Sequence, residues 1–125
     1  MSSSRTITIL TAVVAVLVVL LGWQGFSYFR LHLEAANAEW QTQSFDDLRT
    51  VALKQDAPGA IGCLEHLFID YPSGTKQRRG SHLDRTVERQ RAAVAREIIA
   101  HLRRITNQDF GDDPEAWIHK YGKSK

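Results

Sequence analysis

At 125 residues the chain has room for one ordinary domain and no more. Its 16 basic and 14 acidic side chains leave a formal charge of +2, too mild a balance to point to nucleic acid, whose binding domains show a clear basic face. The one cysteine, Cys63, excludes the intramolecular disulfide framework of small secreted domains.

Residues 1–6 form a short tail carrying Arg5. From Ile7 to Phe29 there are 23 residues without a charge. As a helix this run is roughly 34 Å long, against a hydrocarbon core of about 30 Å. It reads as a transmembrane helix over 7–29, with Trp23 and Tyr28 at headgroup level and Arg30 beyond them. A core helix is excluded because so small a domain cannot surround it. A cleaved signal peptide is the rival reading, since Arg5 makes a basic start and Ala36-Asn37-Ala38 has the small-x-small form of a cleavage site. The apolar run is too long for that, and the triplet lies beyond a charge, so an uncleaved anchor is expected. Arg5 on one side and Arg30 and Arg49 on the other nearly balance. The expectation is a signal-anchor, single-pass, with the soluble domain on the outer, non-cytoplasmic side. Thr8, Ala12 and Ala15 form a small-residue stripe that would let two spans approach; a lipid-facing monomer fits as well.

Past the membrane, residues 30–43 read as a helical stalk, and residues 44–125 as a small α-helical domain. Ser44 reads as an N-cap ahead of Asp46 and Asp47, with Phe45, Leu48, Val51 and Ala52 at helical spacing. Asp56-Ala57-Pro58 starts the next helix, lined by Ile61, Leu64, Leu67, Phe68 and Tyr71 and stopped at Tyr71-Pro72-Ser73-Gly74. A polar loop runs from Pro72 to Ser81. Ser81 caps the longest soluble helix, from about Leu83 to Thr106, with Asp84 early and Arg103 and Arg104 late, as the macrodipole favours. Its inner face reads as Leu83, Val87, Val94, Ile98, Leu102 and Ile105, with Ala95 and Ile99 beside it. Gly111 permits a reversal, Asp113 caps, Pro114 opens a short helix, and Gly122 ends it. Phe110 and Trp117 are expected to fold back on the long helix. No strand pattern competes, so the fold class is all-α: one transmembrane helix followed by a domain of about four helices.

The run from Leu102 to Trp117, Leu-Arg-Arg-Ile-Thr-Asn-Gln-Asp-Phe-Gly-Asp-Asp-Pro-Glu-Ala-Trp, resembles the ending of some bacterial HEAT-like helical-repeat proteins. The apolar helix before it resembles the second helix of such a repeat, and the likeness runs from near Asp56 onward. The resemblance implies a scaffold for protein–protein contact without catalysis of its own. The chain holds no second copy of the helix pair, so it would be an isolated pair with a C-terminal cap rather than a solenoid.

Chemistry-bearing side chains are few. Cys63 and His66 share a helix face but have no second cysteine or H-x-x-x-H to complete a zinc set, and His82, His101 and His119 are scattered. Asp109, Asp112, Asp113 and Glu115 do not match a calcium loop, and caps and solvation account for them. The string Asp109-Phe110-Gly111 lacks every other kinase motif. No enzyme, metal, cofactor or small-molecule substrate is expected. Lys76, Arg78, Arg79 and Arg85 form the densest basic patch, a candidate contact for anionic lipid or a partner. No aromatic is interleaved with these charges as a nucleic-acid stacking platform would require. The expected partners are the bilayer and either another protein or a second copy.

Overall fold

The computed structural model describes residues 2–74 and 76–121. It is all-α, with α1 (Ser2–Ala52), α2 (Ala57–Ile69), α3 (His82–Thr106) and α4 (Pro114–Tyr121), and no strand among the described residues. The chain divides after Leu33 into two units.

The first unit is the apolar part of α1, a helix long and apolar enough to cross a membrane. Its side chains from Ser3 to Leu33 are exposed, none sheltered by protein. Thr8 and Thr11 donate their hydroxyls to the carbonyls of Ser4 and Ile7, each at 2.9 Å. A hydroxyl bonded to its own helix carries no unpaired polar group into hydrocarbon.

The second unit begins at Glu34 and holds the core. Here α1 continues to Ala52, and Ser44 caps nothing. Its Oγ donates to the carbonyl of Trp40, 2.9 Å away. No glycine or proline lies between Arg30 and Ser44, so the helix runs through it and the hydroxyl bonds back by one turn. α1 thereby contributes Ala38, Gln41, Phe45 and Ala52 to the interior. Val51, off that face, is exposed.

The other caps form as their sequences require. Asp56 accepts from Gly59 N at 3.0 Å. Ser81 Oγ accepts from Asp84 N at 3.1 Å while Asp84 Oδ2 accepts from Gly80 N at 2.8 Å, a reciprocal arrangement that satisfies two donors at the start of α3. α3 ends on Asn107 in the left-handed region (φ 53°), which asparagine tolerates better than most residues. Asp113 Oδ1 accepts from Glu115 N at 3.1 Å. Gly122 lies outside the described residues.

Phe45, Leu64, Leu67, Val87, Val94, Ile98, Ile99, Leu102 and Trp117 are fully buried and form one core. Phe68 and Phe110 pack against it from the edge. The inner face of α3 differs from the sequence expectation at its C-terminal end, where Ile105 is exposed, while Leu83 at the other end is half-buried and packs against the core. α2 has 13 residues and α3 has 25, so the shorter helix cannot cover both ends of the longer.

Candidate functional site

Three surfaces carry polar groups in fixed arrangements. The first is the basic loop. Lys76, Arg78 and Arg79 lie between α2 and α3, Arg85 lies in the first turn of α3, and all are exposed. Gln77 holds the loop down: it is buried, and its Nε2 donates to Gln41 Oε1 at 2.7 Å. Lys76 Nζ sits 5.2 Å from the centroid of the Trp40 ring, which tilts against Tyr71 at 5.7 Å. Gly74 has φ 70°, and a Cβ there would stand 3.2 Å from Arg79 Nε. Arg85 Nη1 reaches back to Gly80 O at 3.4 Å. Lys76 thus faces the exposed Trp40 ring, backed by the half-buried Tyr71, while Arg79 and Arg85 lie against the loop's own backbone. Trp40 belongs to this surface, and its place between Glu39 and Gln41 was the signal available in the sequence.

The second surface is a groove of about 870 Å³. One wall is the face of α1 carrying Glu39, Thr42, Gln43 and Asp46; the other is the face of α3 carrying Thr86, Arg89, Gln90, Ala93 and Arg96, with Ala92. Both sets recur at i, i+3, i+4 and i+7, the spacing of one helix face. At one end Arg49 joins the helices, bonded to Asp46 at 2.7 Å and to Glu97 at 3.2 Å. Those two carboxylates, Glu97 foremost, raise the Arg49 pKa further and keep it charged.

The third is built around Arg91. It is buried, with Nη1 donating to the Leu67 carbonyl at 2.5 Å, Nε 3.3 Å from Glu88 Oε2, and the guanidinium over the rings of Phe45 (4.9 Å) and Phe68 (5.7 Å). Beside it a recess of about 410 Å³ is bounded by Phe68, Ala95, Asp112 and Pro114.

The remaining candidates resolve into structural contacts. Cys63 is half-buried, and burial pushes its thiol pKa up, away from the reactive thiolate. His66 pairs with Asp70 and sets its ring edge-on to Tyr71 at 5.6 Å. His101 lies 3.0 Å from Gln55 O through Nε2 and 2.9 Å from Arg104 Nη2 through Nδ1. A carbonyl only accepts and a guanidinium only donates, so these neighbours suit the tautomer with the proton on Nε2. Among the described residues no three His, Cys, Asp or Glu side chains converge as metal ligands.

In the acidic run, Asp109 and Asp112 both turn onto Arg103, each at 2.8 Å, and Asp109 also accepts from Gly111 N at 2.9 Å. The Arg103 guanidinium, with help from that amide, holds the Asp109 carboxyl below the usual range. A depressed folded pKa contributes stability above the unfolded value, and that contribution is lost as pH falls through the folded value. Asp109→Asn is therefore expected to flatten the acid limb of the stability–pH curve below about pH 4. Thermal melts between neutral and acid pH check this, and an unchanged acid limb would contradict it.

Compared with known proteins, the chain matches no protein-family model, no curated protein and no solved structure.

Proposed function

We propose that this chain is a single-pass, membrane-anchored interaction protein without catalytic activity. The soluble unit would be held at the outer face of the membrane to bind another polypeptide. The observation that carries this reading is the groove between α1 and α3. It offers two parallel ladders of polar side chains to a partner and no deep apolar enclosure of the kind small ligands occupy. The pairing of α2 with α3, closed at one end by α4, is also what the HEAT-like resemblance implies for a protein-contact scaffold.

A second reading is favoured by one observation, the Trp40–Tyr71–Lys76 cluster beside the basic loop. An amphipathic ring next to an ammonium group suits a headgroup layer, so Lys76, Arg78, Arg79 and Arg85 would touch anionic lipid. That reading requires anionic lipid on the leaflet the domain faces.

One experiment separates them. A photo-crosslinking residue is placed in the full chain at Gln90, in the groove, or at Lys76, in the loop, and illuminated in intact membranes. The interaction reading expects a protein adduct from Gln90. Lipid adducts from Lys76, with none to protein from Gln90, would replace it with the second reading. Protease shaving of sealed cells, with a tag after Lys125, tests the side: loss of the tag places the domain outside.

A further inference from the structure

We propose that the groove between α1 and α3 is the face through which two copies of this chain pair, on a two-fold axis running along it. The inference rests on the interaction reading and names its partner. The two walls carry opposite charge: Glu39 and Asp46 on α1, Arg89 and Arg96 on α3. Each pair is seven residues apart, or roughly 10.5 Å along its helix, so the acidic and basic ladders have the same pitch. Among the described residues the Arg49–Glu97 pair closes one end of the groove, and no ion pair joins Glu39 or Asp46 to Arg89 or Arg96. Asp46 meets Arg49 on its own helix, and the side chains of Glu39, Arg89 and Arg96 enter no ion pair.

A two-fold interface uses the same patch on both copies, so the patch must be complementary to itself. Most charged surfaces fail this test, because a rotated copy brings like charges together. Here a two-fold axis parallel to the groove carries the acidic wall of one copy onto the basic wall of the other. The contacts Phe45–Arg91 and Arg49–Glu97 set Glu39 and Arg89 of the second copy within about one helical turn of each other in height, inside the reach of a long arginine side chain, and Asp46 and Arg96 likewise. The small side chains of Ala92 and Ala93 line the groove on the α3 wall and allow close approach of the two helical faces. A lipid surface or a nucleic acid presents one sign of charge and would be repelled by one wall. A different protein would have to carry the same two ladders, whereas a second copy carries them by identity. Exposed ion pairs are individually weak. Two chains held in one bilayer, however, meet at a raised effective concentration, so weak complementary contacts suffice.

Full-length chains labelled with donor or acceptor dyes and reconstituted in neutral phospholipid vesicles test this by energy transfer. Wild type is expected to show transfer above random proximity, weakening as salt rises. Arg89→Glu with Arg96→Glu makes both walls acidic, and Glu39→Lys with Asp46→Lys makes both basic. Each double variant alone is expected to dissociate at least about tenfold more readily, and an equal mixture of the two to recover wild-type transfer, because each then finds its complement. Recovery would also show that neither variant is misfolded. Three results would each overturn the proposal: a monomeric wild type, variants that associate as tightly as wild type, and a mixture that does not recover. If wild type is monomeric while Gln90 still crosslinks to a different protein, the interaction reading stands and the self-pairing falls.

Discussion

Trp117→Ala is expected to destabilise the second unit by about 3–5 kcal/mol, the range for deleting a buried indole. Trp117 is the largest fully buried side chain in the core. It stands on α4, a helix of eight residues with little stability of its own. Three contacts hold that helix in place. The indole fills the core; Phe110 meets it edge-on at 4.8 Å; and Nε1–H donates to Gly111 O at 2.8 Å. The last contact needs the chain to reverse just before α4, which Gly111 allows at φ 84°. Removing the indole takes away the reason for the reversal as well as the filling. For a domain of this size each kcal/mol corresponds to about 4–8 °C, so the melting temperature should fall by at least about 12 °C. Trp117→Phe keeps most of the apolar volume and loses the bond to Gly111 O, an exposed carbonyl that water can serve, and should cost nearer to about 1 kcal/mol for the bond itself. Thermal melts of the two full-length variants in detergent decide the matter. Equal, small losses would mean that α4 is not integral to the core.

The contrast between caps shows what the sequence carried and what it did not. Asp56 and Asp113 are each followed within two residues by proline, and Ser81 is preceded by Gly80, so in each case a second residue agrees that a helix starts there. Ser44 has the acidic first turn of a cap but no breaker before it, and the structure runs straight through. A capping side chain is thus informative only where something else stops the preceding helix. The packing residues Leu64, Val94, Ile98, Leu102 and Trp117 were legible because helical periodicity fixes which positions face inward. Ile105 obeys the same period and is exposed, because coverage depends on how long the opposing helix is, and one helix's sequence does not contain that.

The candidate surfaces were less legible for a related reason. Lys76, Arg78, Arg79 and Arg85 stand together in the sequence and are all exposed, but the Trp40 ring beside Lys76 comes from 36 positions earlier in the chain. Glu39, Asp46, Arg89 and Arg96 look like ordinary solvated positions when each helix is read alone. Their opposition exists only once α1 and α3 are side by side. The all-α class survives such errors because it depends on local pattern; the groove does not, because it depends on which faces meet.

Arg91→Ala is expected to cost about 2–5 kcal/mol, the range for a large-to-small change at a buried position, here with the Leu67 carbonyl losing its donor as well. Position 91 falls in the inner stripe of α3, four residues after Val87 and three before Val94, so periodicity alone places it inside. A charged residue there argues against that placement, and the structure shows how the conflict is met. The guanidinium lies against Phe45 from α1 and Phe68 from α2, so its flat faces are covered by rings rather than by water. Its Nη1 donates to the carbonyl of Leu67, in the last turn of α2, where carbonyls lack partners within the helix and a cation is favoured. One side chain thereby ties three helices. Arg91→Met keeps much of the volume but leaves the Leu67 carbonyl without its donor, and should cost about 1–3 kcal/mol. Arg91→Lys keeps the charge but has no plane to lie between two rings, and should fall between wild type and Ala. If Met proves as damaging as Ala in denaturant melts, the charge and its hydrogen bond dominate. If Met is neutral, the arginine is held for its shape, and the loss in Ala is a cavity.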